Sequence, residues 1–190
     1  MRMFKSQIRI IGWDDAAFVR GLKPQKVRLV GAIVRGADYL DGVLTAEIMY
    51  DEMDATPKIS ESVNSSRHRD QLRAIMTDGI SFAGFNLVDI VELSRKTGLP
   101  VIAVQRKTPN VDEFLRAQER FDDFALRKGI VKRTGDFYAS GKICFQCAGI
   151  SERDADAIIK LSARHSNVPE PIRIAHLIAS GLSGESRGRA

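Results

Sequence analysis

Residues 27–50 read VRLVGAIVRGADYLDGVLTAEIMY, and this stretch decides the fold class. Val27 to Arg35 is a near-continuous apolar run, as expected of a strand buried on both faces in the middle of a sheet. Asp41–Gly42 opens a further strand that alternates. Its Leu44, Ala46, Ile48 and Tyr50 point one way, and Thr45, Glu47 and Met49 the other. The link from Gly36 to Gly42 is short enough for a hairpin, which makes the two strands antiparallel.

Upstream, Gln7 to Asp14 alternates, turns apolar and ends on the pair Asp14–Asp15, a first strand. Downstream, Thr56 to Arg67 reads as a helix with Ile59 and Val63 on one face. Leu72 to Thr77 is a fourth strand that ends at Asp78–Gly79. Asn86 to Lys96 reads as the next helix, stopped by Gly98 and Pro100, and Val101 to Gln105 as a fifth strand. Asn110 caps a long helix, with Glu113 at the capping-box position and a buried stripe of Val111, Phe114, Leu115 and Phe121. Lys142 to Gln146 is the final strand, Ser151 caps a helix, and Pro169–Glu170–Pro171 opens a last helix ending near Gly181. Three antiparallel strands followed by strands reached through helical crossovers, and so parallel, predict an α/β mixed sheet with helices on both faces. Residues 1–182 are expected to form one domain, and 183–190 a disordered tail.

The chain's 190 residues suffice to bury a core without disulfides or a structural metal. With 44% hydrophobic and 28% charged residues the composition is ordinary for a globular protein. Apolar runs such as Leu29 to Val34 are far too short to cross a bilayer, and the first residues lack the apolar core of a signal peptide. We therefore expect a cytoplasmic protein with no membrane partner. The net charge of +5 suits a polyanionic partner without requiring one. Cys144 and Cys147 form a C-x-x-C pair, but no second ligand pair for zinc exists and the context is a strand, so two ordinary thiols are expected.

The chemistry is expected at strand ends. In an open α/β sheet, sites collect at the carboxyl ends of strands, and Asp14 and Asp78 each terminate one. If those strands are parallel, the two carboxylates share an edge. Like charges there repel, and Mg²⁺, which takes oxygen ligands from one or two carboxylates plus substrate phosphates, removes the problem. The plainer reading makes both aspartates turn formers. Trp13 is expected to pack in the sheet.

The stretch Met76–Thr77–Asp78–Gly79–Ile80, the helix after it, and Leu99 to Val104 resemble endonuclease V. In that family one strand ends in Asp–Gly and a later one at a lysine. Val168–Pro169–Glu170–Pro171 resembles the opening of its C-terminal helix, and Gly12–Trp13–Asp14 its Gly–x–Asp. The whole chain is more similar still to the archaeal UPF0215 (DUF99) proteins, described as endonuclease V homologues. Tyr39 to Leu44, Asp54–Ala55–Thr56, Asp78 to Asn86 and Gln146 to Ile150 carry that resemblance. It implies an RNase H-like fold and a metal-dependent endonuclease that acts on DNA or RNA with Mg²⁺ or Mn²⁺.

Carried over residue by residue, the resemblance makes Asp14 and Asp78 metal ligands, His176 a histidine at the metal, and Arg106 a phosphate-facing cation where the family has lysine. The family's glutamate before the helix has no direct match; Asp54 is the first substitute and Glu61 the second. The Pro–Tyr–Ile–Pro wedge is absent, and the family's Gly–x–x–His–Pro–Arg run reads Ile80 to Asn86 here. Inosine recognition is therefore not implied, because base selectivity lives in the pocket that captures the base. Arg67, His68 and Arg69 offer phosphate contacts or form a solvated helix end. Phe82 and Phe85 stack on a base or cap the core. Three functions stand at this level: an endonuclease, a nucleic-acid-binding protein without catalysis, and a small-molecule or nucleotide enzyme in the same acidic cleft.

Overall fold

The structure, a computed structural model, describes residues 7–185. A seven-stranded sheet runs in the order β3-β2-β1-β4-β7-β9-β8. Its strands are β1 (Arg9–Asp15), β2 (Lys26–Arg35), β3 (Tyr39–Met49), β4 (Leu72–Asp78), β7 (Val101–Gln105), β8 (Tyr138–Ser140) and β9 (Ile143–Ala148). A separate two-stranded hairpin, β5 (Ser81–Phe82) with β6 (Asn86–Leu87), lies between β4 and the next helix. The helices are α1 (Ala55–Ser65), α2 (Ile90–Thr97), α3 (Val111–Arg116), α4 (Phe124–Thr134), α5 (Glu152–Ser162) and α6 (Glu170–Gly181). No helix among the described residues is long and apolar enough to cross a membrane.

The mixed sheet has the expected plan as far as β7, but the final strand, expected parallel, pairs antiparallel with it. β1, β2 and β3 pair antiparallel, β1, β4 and β7 pair parallel, and β9 and β8 return antiparallel at the far edge. Strand periodicity assigns the two faces. Odd positions of β1, β4 and β7 (Ile11, Trp13, Ile75, Val101, Ala103) pack with Ile59 and Val63 of α1 and Ile90 and Leu93 of α2. Even positions (Ile10, Ala74, Met76, Ile102, Val104) pack with Ala155, Ile158 and Ile159 of α5 and Ile172 of α6.

Two glycines, one per central strand, set how closely the layers approach. A Cβ on Gly12 would lie 2.3 Å from the Pro171 carbonyl carbon, so bare backbone is what seats α6 on β1. Gly31 stands opposite Trp13 in the register, and a Cβ there would meet the indole at 2.8 Å. Trp13 is accordingly fully buried, as expected.

Several expectations need correction. The helix expected from Asn86 begins at Ile90, with Asp89 accepting from the Val91 and Glu92 amides. Asn86 instead belongs to β6 and caps a different helix, accepting from the Ala55 amide. The long helix expected after Asn110 stops at Arg116, because tighter turns take over: Gln118 N–H donates to Leu115 and Phe121 N–H to Gln118. None of its residues is buried. α4 and β8 were not expected at all. In the last segment, Ser183 and Gly184 still donate to the carbonyls of Ser180 and Gly181, and 186–190 of the expected tail lie outside the described residues. The two cysteines are free thiols on β9. Three residues apart on a strand they point to opposite faces, and burial pushes the Cys147 thiol up.

Candidate active site

α6 runs along β1 and meets it on one face. Pro171 covers Gly12, His176 reaches Asp14, and Ala179 packs on Ala16. The even register places Asp14 on the α6 face, and Asp78, ending the neighbouring parallel strand, is on the same face. Ligand atoms of Asp14, Asp78 and His176 consequently all lie within 4.8 Å of one another, the one such group among the described residues.

Asp14 is buried, and its Oδ2 lies 2.7 Å from His176 Nδ1. Its Oδ1 accepts from the Asp15 amide at 2.8 Å. The hydrogen bond to Asp14 holds the His176 imidazole above its ordinary pKa, aided by the charges of Asp14 and Asp78, while burial and Arg106 oppose. Burial pushes the Asp78 carboxyl up to about 6, and the charge of Asp14 adds to this against the pull of Arg106 and His176. Asp15 is pushed up to about 7, first by burial and then by Asp14, although the Ala83 amide donates to it at 2.6 Å. Three carboxyls thus crowd one edge, two of them resisting ionisation.

The cluster opens onto a cavity of about 760 Å³. Arg106, Lys107 and Lys132 line it, and the charge of Arg106 reaches Asp78. Ile80, Val111, Phe114, Leu115, Val131 and Phe137 give it apolar walls. Gln146 of β9 and Gln105 of β7 line it from one face of the sheet, since Gln146 pairs with Ala103 and Gln105 lies two positions further along β7. Gln146 Nε2 donates to the Gly135 carbonyl at 2.6 Å, and its buried Oε1 has no partner.

The remaining candidates lie elsewhere. Asp54 is outside the cluster: its carboxylate accepts from the Met49 amide and from Asn86 Nδ2, holding the start of α1. Glu61 is exposed on α1, beside Lys58 and Arg28. Arg67, His68 and Arg69 precede β4, so they sit at its opposite end from Asp78; Arg69 is committed to Asn64 and the Thr97 carbonyl. Phe82 is buried in the core. Phe85 is half-buried between Phe114 and Phe121 and does not line the acidic cavity. Asp15, Gln105, Gln146 and Lys132 were not anticipated. The one legible signal was Gln146, a polar residue inside the apolar run of β9.

The sequence profile of the family described as Endonuclease dU matches residues 6–183. A UPF0215 protein of Methanothermobacter thermautotrophicus is 49% identical over 194 residues, covering 100% of this chain and 95% of its own length. A crystal structure from Archaeoglobus fulgidus, of a protein of unknown function, superposes with a TM-score of 0.87 at 38% identity over 93% of this chain and 98% of that one. Endonuclease V of Ciona intestinalis, solved with a 24mer DNA containing an inosine followed by a ribo-adenosine, superposes with a TM-score of 0.57 at 13% identity, covering 89% of this chain and 82% of that one. The last likeness is one of fold.

Proposed function

The chain belongs to the Endonuclease dU family, and from that premise we propose that it is a metal-dependent endonuclease that hydrolyses a phosphodiester at the edge formed by β1 and β4. The observation that carries this is the convergence of Asp14, Asp78 and His176 to within 4.8 Å. Two hard carboxylate donors crowded on one buried edge, with an imidazole hydrogen-bonded beside them, suit Mg²⁺ or Mn²⁺. Asp14 and Asp78 would hold the ion, with Asp15 beside them. When bound, it would lower the pKa of a water and offset charge on the phosphate.

The chain's own residues supply the rest. Arg106, Lys107 and Lys132 attract and seat the phosphate from outside the acidic cluster. His176 commits Nδ1 to Asp14, so Nε2, with Ser180 Oγ at 3.5 Å, is the atom able to give a proton to the leaving oxygen. The apolar walls exclude water and accept a base. The carboxamide of Gln146, with an acceptor unpaired and a donor half-used, matches the donor–acceptor edge of a nucleobase. The family's description points to uracil, the base of deoxyuridine, as that base.

The test is cleavage of labelled DNA and RNA, with and without a single deoxyuridine or inosine, in Mn²⁺. Wild type should cut and Asp78→Asn should not. Binding without cleavage by the wild type would favour a non-catalytic nucleic-acid-binding protein, and neither binding nor cleavage a small-molecule substrate.

A further inference from the structure

A second cavity, of about 940 Å³, abuts the first and shares Asp15 and Ser81 with it. Its other walls come from the β1–β2 loop, the end of β3, the β5–β6 hairpin and the turn between α3 and α4. Three cations line it, Arg20, Lys23 and Arg120, together with the rings of Tyr50, Phe85 and Phe121. The two kinds of side chain are interleaved. The Lys23 ammonium stands 5.7 Å from the Tyr50 ring centroid and 5.2 Å from that of Phe121. The Arg120 guanidinium stands 5.5 Å from Phe85 and 5.0 Å from Phe121.

These cations lack a full complement of anions. Lys23 and Arg120 share one buried carboxylate, Asp51, at 3.4 and 3.6 Å, longer than a direct charge-assisted hydrogen bond. Their side chains remain 46% and 62% exposed, leaving N–H groups for an anion outside the protein. Beneath them the frame is hydrogen-bonded throughout. Buried Arg127 donates to the carbonyls of Asp51 and Phe85 and lies 4.1 Å from the Phe121 ring. Asp51 in turn accepts from the Phe85 amide at 3.0 Å.

We propose that this groove carries the single-stranded stretch of nucleic acid next to the phosphate being cut, with Lys23 and Arg120 on successive phosphates and a base stacked at Phe85 and Phe121. The proposal rests on the endonuclease reading, since it is the shared wall at Asp15 and Ser81 that joins the groove to the acidic site. Cations alone would serve any polyanion. Aromatic rings set among them reward only bases whose faces are free, which a duplex does not offer.

The experiment measures fluorescence anisotropy of a labelled 15-nucleotide single strand bearing one deoxyuridine, and of its duplex, across a salt series in EDTA, so that no cleavage occurs. Each phosphate contact on a single strand adds about 0.7 to the magnitude of the log–log salt slope. The double variant Lys23→Gln/Arg120→Gln should therefore flatten the slope by about 1.4. Phe85→Leu should leave the slope alone and weaken single-strand binding about 5- to 150-fold, the range that stacking of one base implies. Phe85→Tyr, which keeps the ring, should restore binding; the double variant, which leaves buried Asp51 without its two cations, should melt earlier than the wild type, and circular dichroism at the assay temperature should show every variant folded. Groove variants that retain wild-type slope and affinity, while Arg106→Gln weakens binding, would overturn the groove and leave the endonuclease reading standing. No binding of any strand by the wild type would remove both. A Phe85→Leu loss as large on duplex as on single strand would overturn the single-strand assignment.

Discussion

Replacing Asp78 by Asn should stabilise the metal-free protein at pH 8 and leave its stability unchanged at pH 3.5. Asn is close in shape, tolerated at a turn, and cannot ionise. The Asp78 carboxyl rises from 3.8 to about 6 on folding, so ionising it costs the fold about 3 kcal/mol, at 1.36 kcal/mol per pKa unit. The sign follows from which state ionises first. Below about pH 4 the carboxyl is protonated in both states and costs nothing. Between about 4 and 6 the unfolded chain ionises and the folded one resists, so stability falls, and above 6 the loss is complete. For a chain of this size, about 3 kcal/mol corresponds to a melting shift of about 6–12 °C. Asp15, raised to about 7, and His176, also raised, lose stability with rising pH in the same sense. The wild type should therefore weaken steadily from pH 4 towards 8 in EDTA, and Mn²⁺ should restore it more than it restores the variant. Urea titrations of both proteins at pH 3.5 and 8 make the measurement. An equal effect of the substitution at both pH values, or destabilisation at pH 8, would refute the electrostatic account of the site.

Other substitutions read other parts of the structure. His176→Ala should slow cleavage about 10²–10⁴-fold in single-turnover assays, the usual range for a lost general acid; an unchanged rate would remove His176 from proton transfer. Gln146→Leu should lower affinity for a deoxyuridine-bearing strand by about 1–3 kcal/mol relative to the same strand with an abasic site, read by competition binding; equal losses for both strands would mean that Gln146 does not touch the base. Gly12→Ala places a methyl 2.3 Å from the Pro171 backbone, so it should destabilise by about 1–3 kcal/mol in urea titrations and displace His176 from Asp14; wild-type stability would show that α6 is free to shift.

What was legible in the sequence followed from periodicity. The apolar run of β2, the alternation of β3 and the acidic ends of β1 and β4 each state their own place, and the resemblance supplied the pairing of β1 with β4 and the partner on α6. What was illegible depends on tertiary contacts. α4 buries Arg127, Ile130 and Thr134, a stripe with one apolar residue in three, so no hydrophobic period marks it. Asn86 has the chemistry of a helix cap and is one, but for α1 rather than for the helix that follows it. The same network absorbs Asp54, whose carboxylate looks available in sequence and is committed in the fold. Asp15 was hidden by its neighbour: alternation put Asp14 on the α6 face, and nothing local showed that Asp15 would be crowded against it.

The central claim is that Asp14 and Asp78 hold a divalent cation. It is tested most directly by titrating Mn²⁺ into the protein with a non-cleavable phosphorothioate strand present, following free Mn²⁺ by electron paramagnetic resonance. Saturable binding is expected of the wild type, and of Asp54→Asn and Glu61→Gln, with affinity reduced by about tenfold or more in Asp14→Asn and Asp78→Asn. Wild-type affinity in both aspartate variants, or its loss in Asp54→Asn alone, would contradict it.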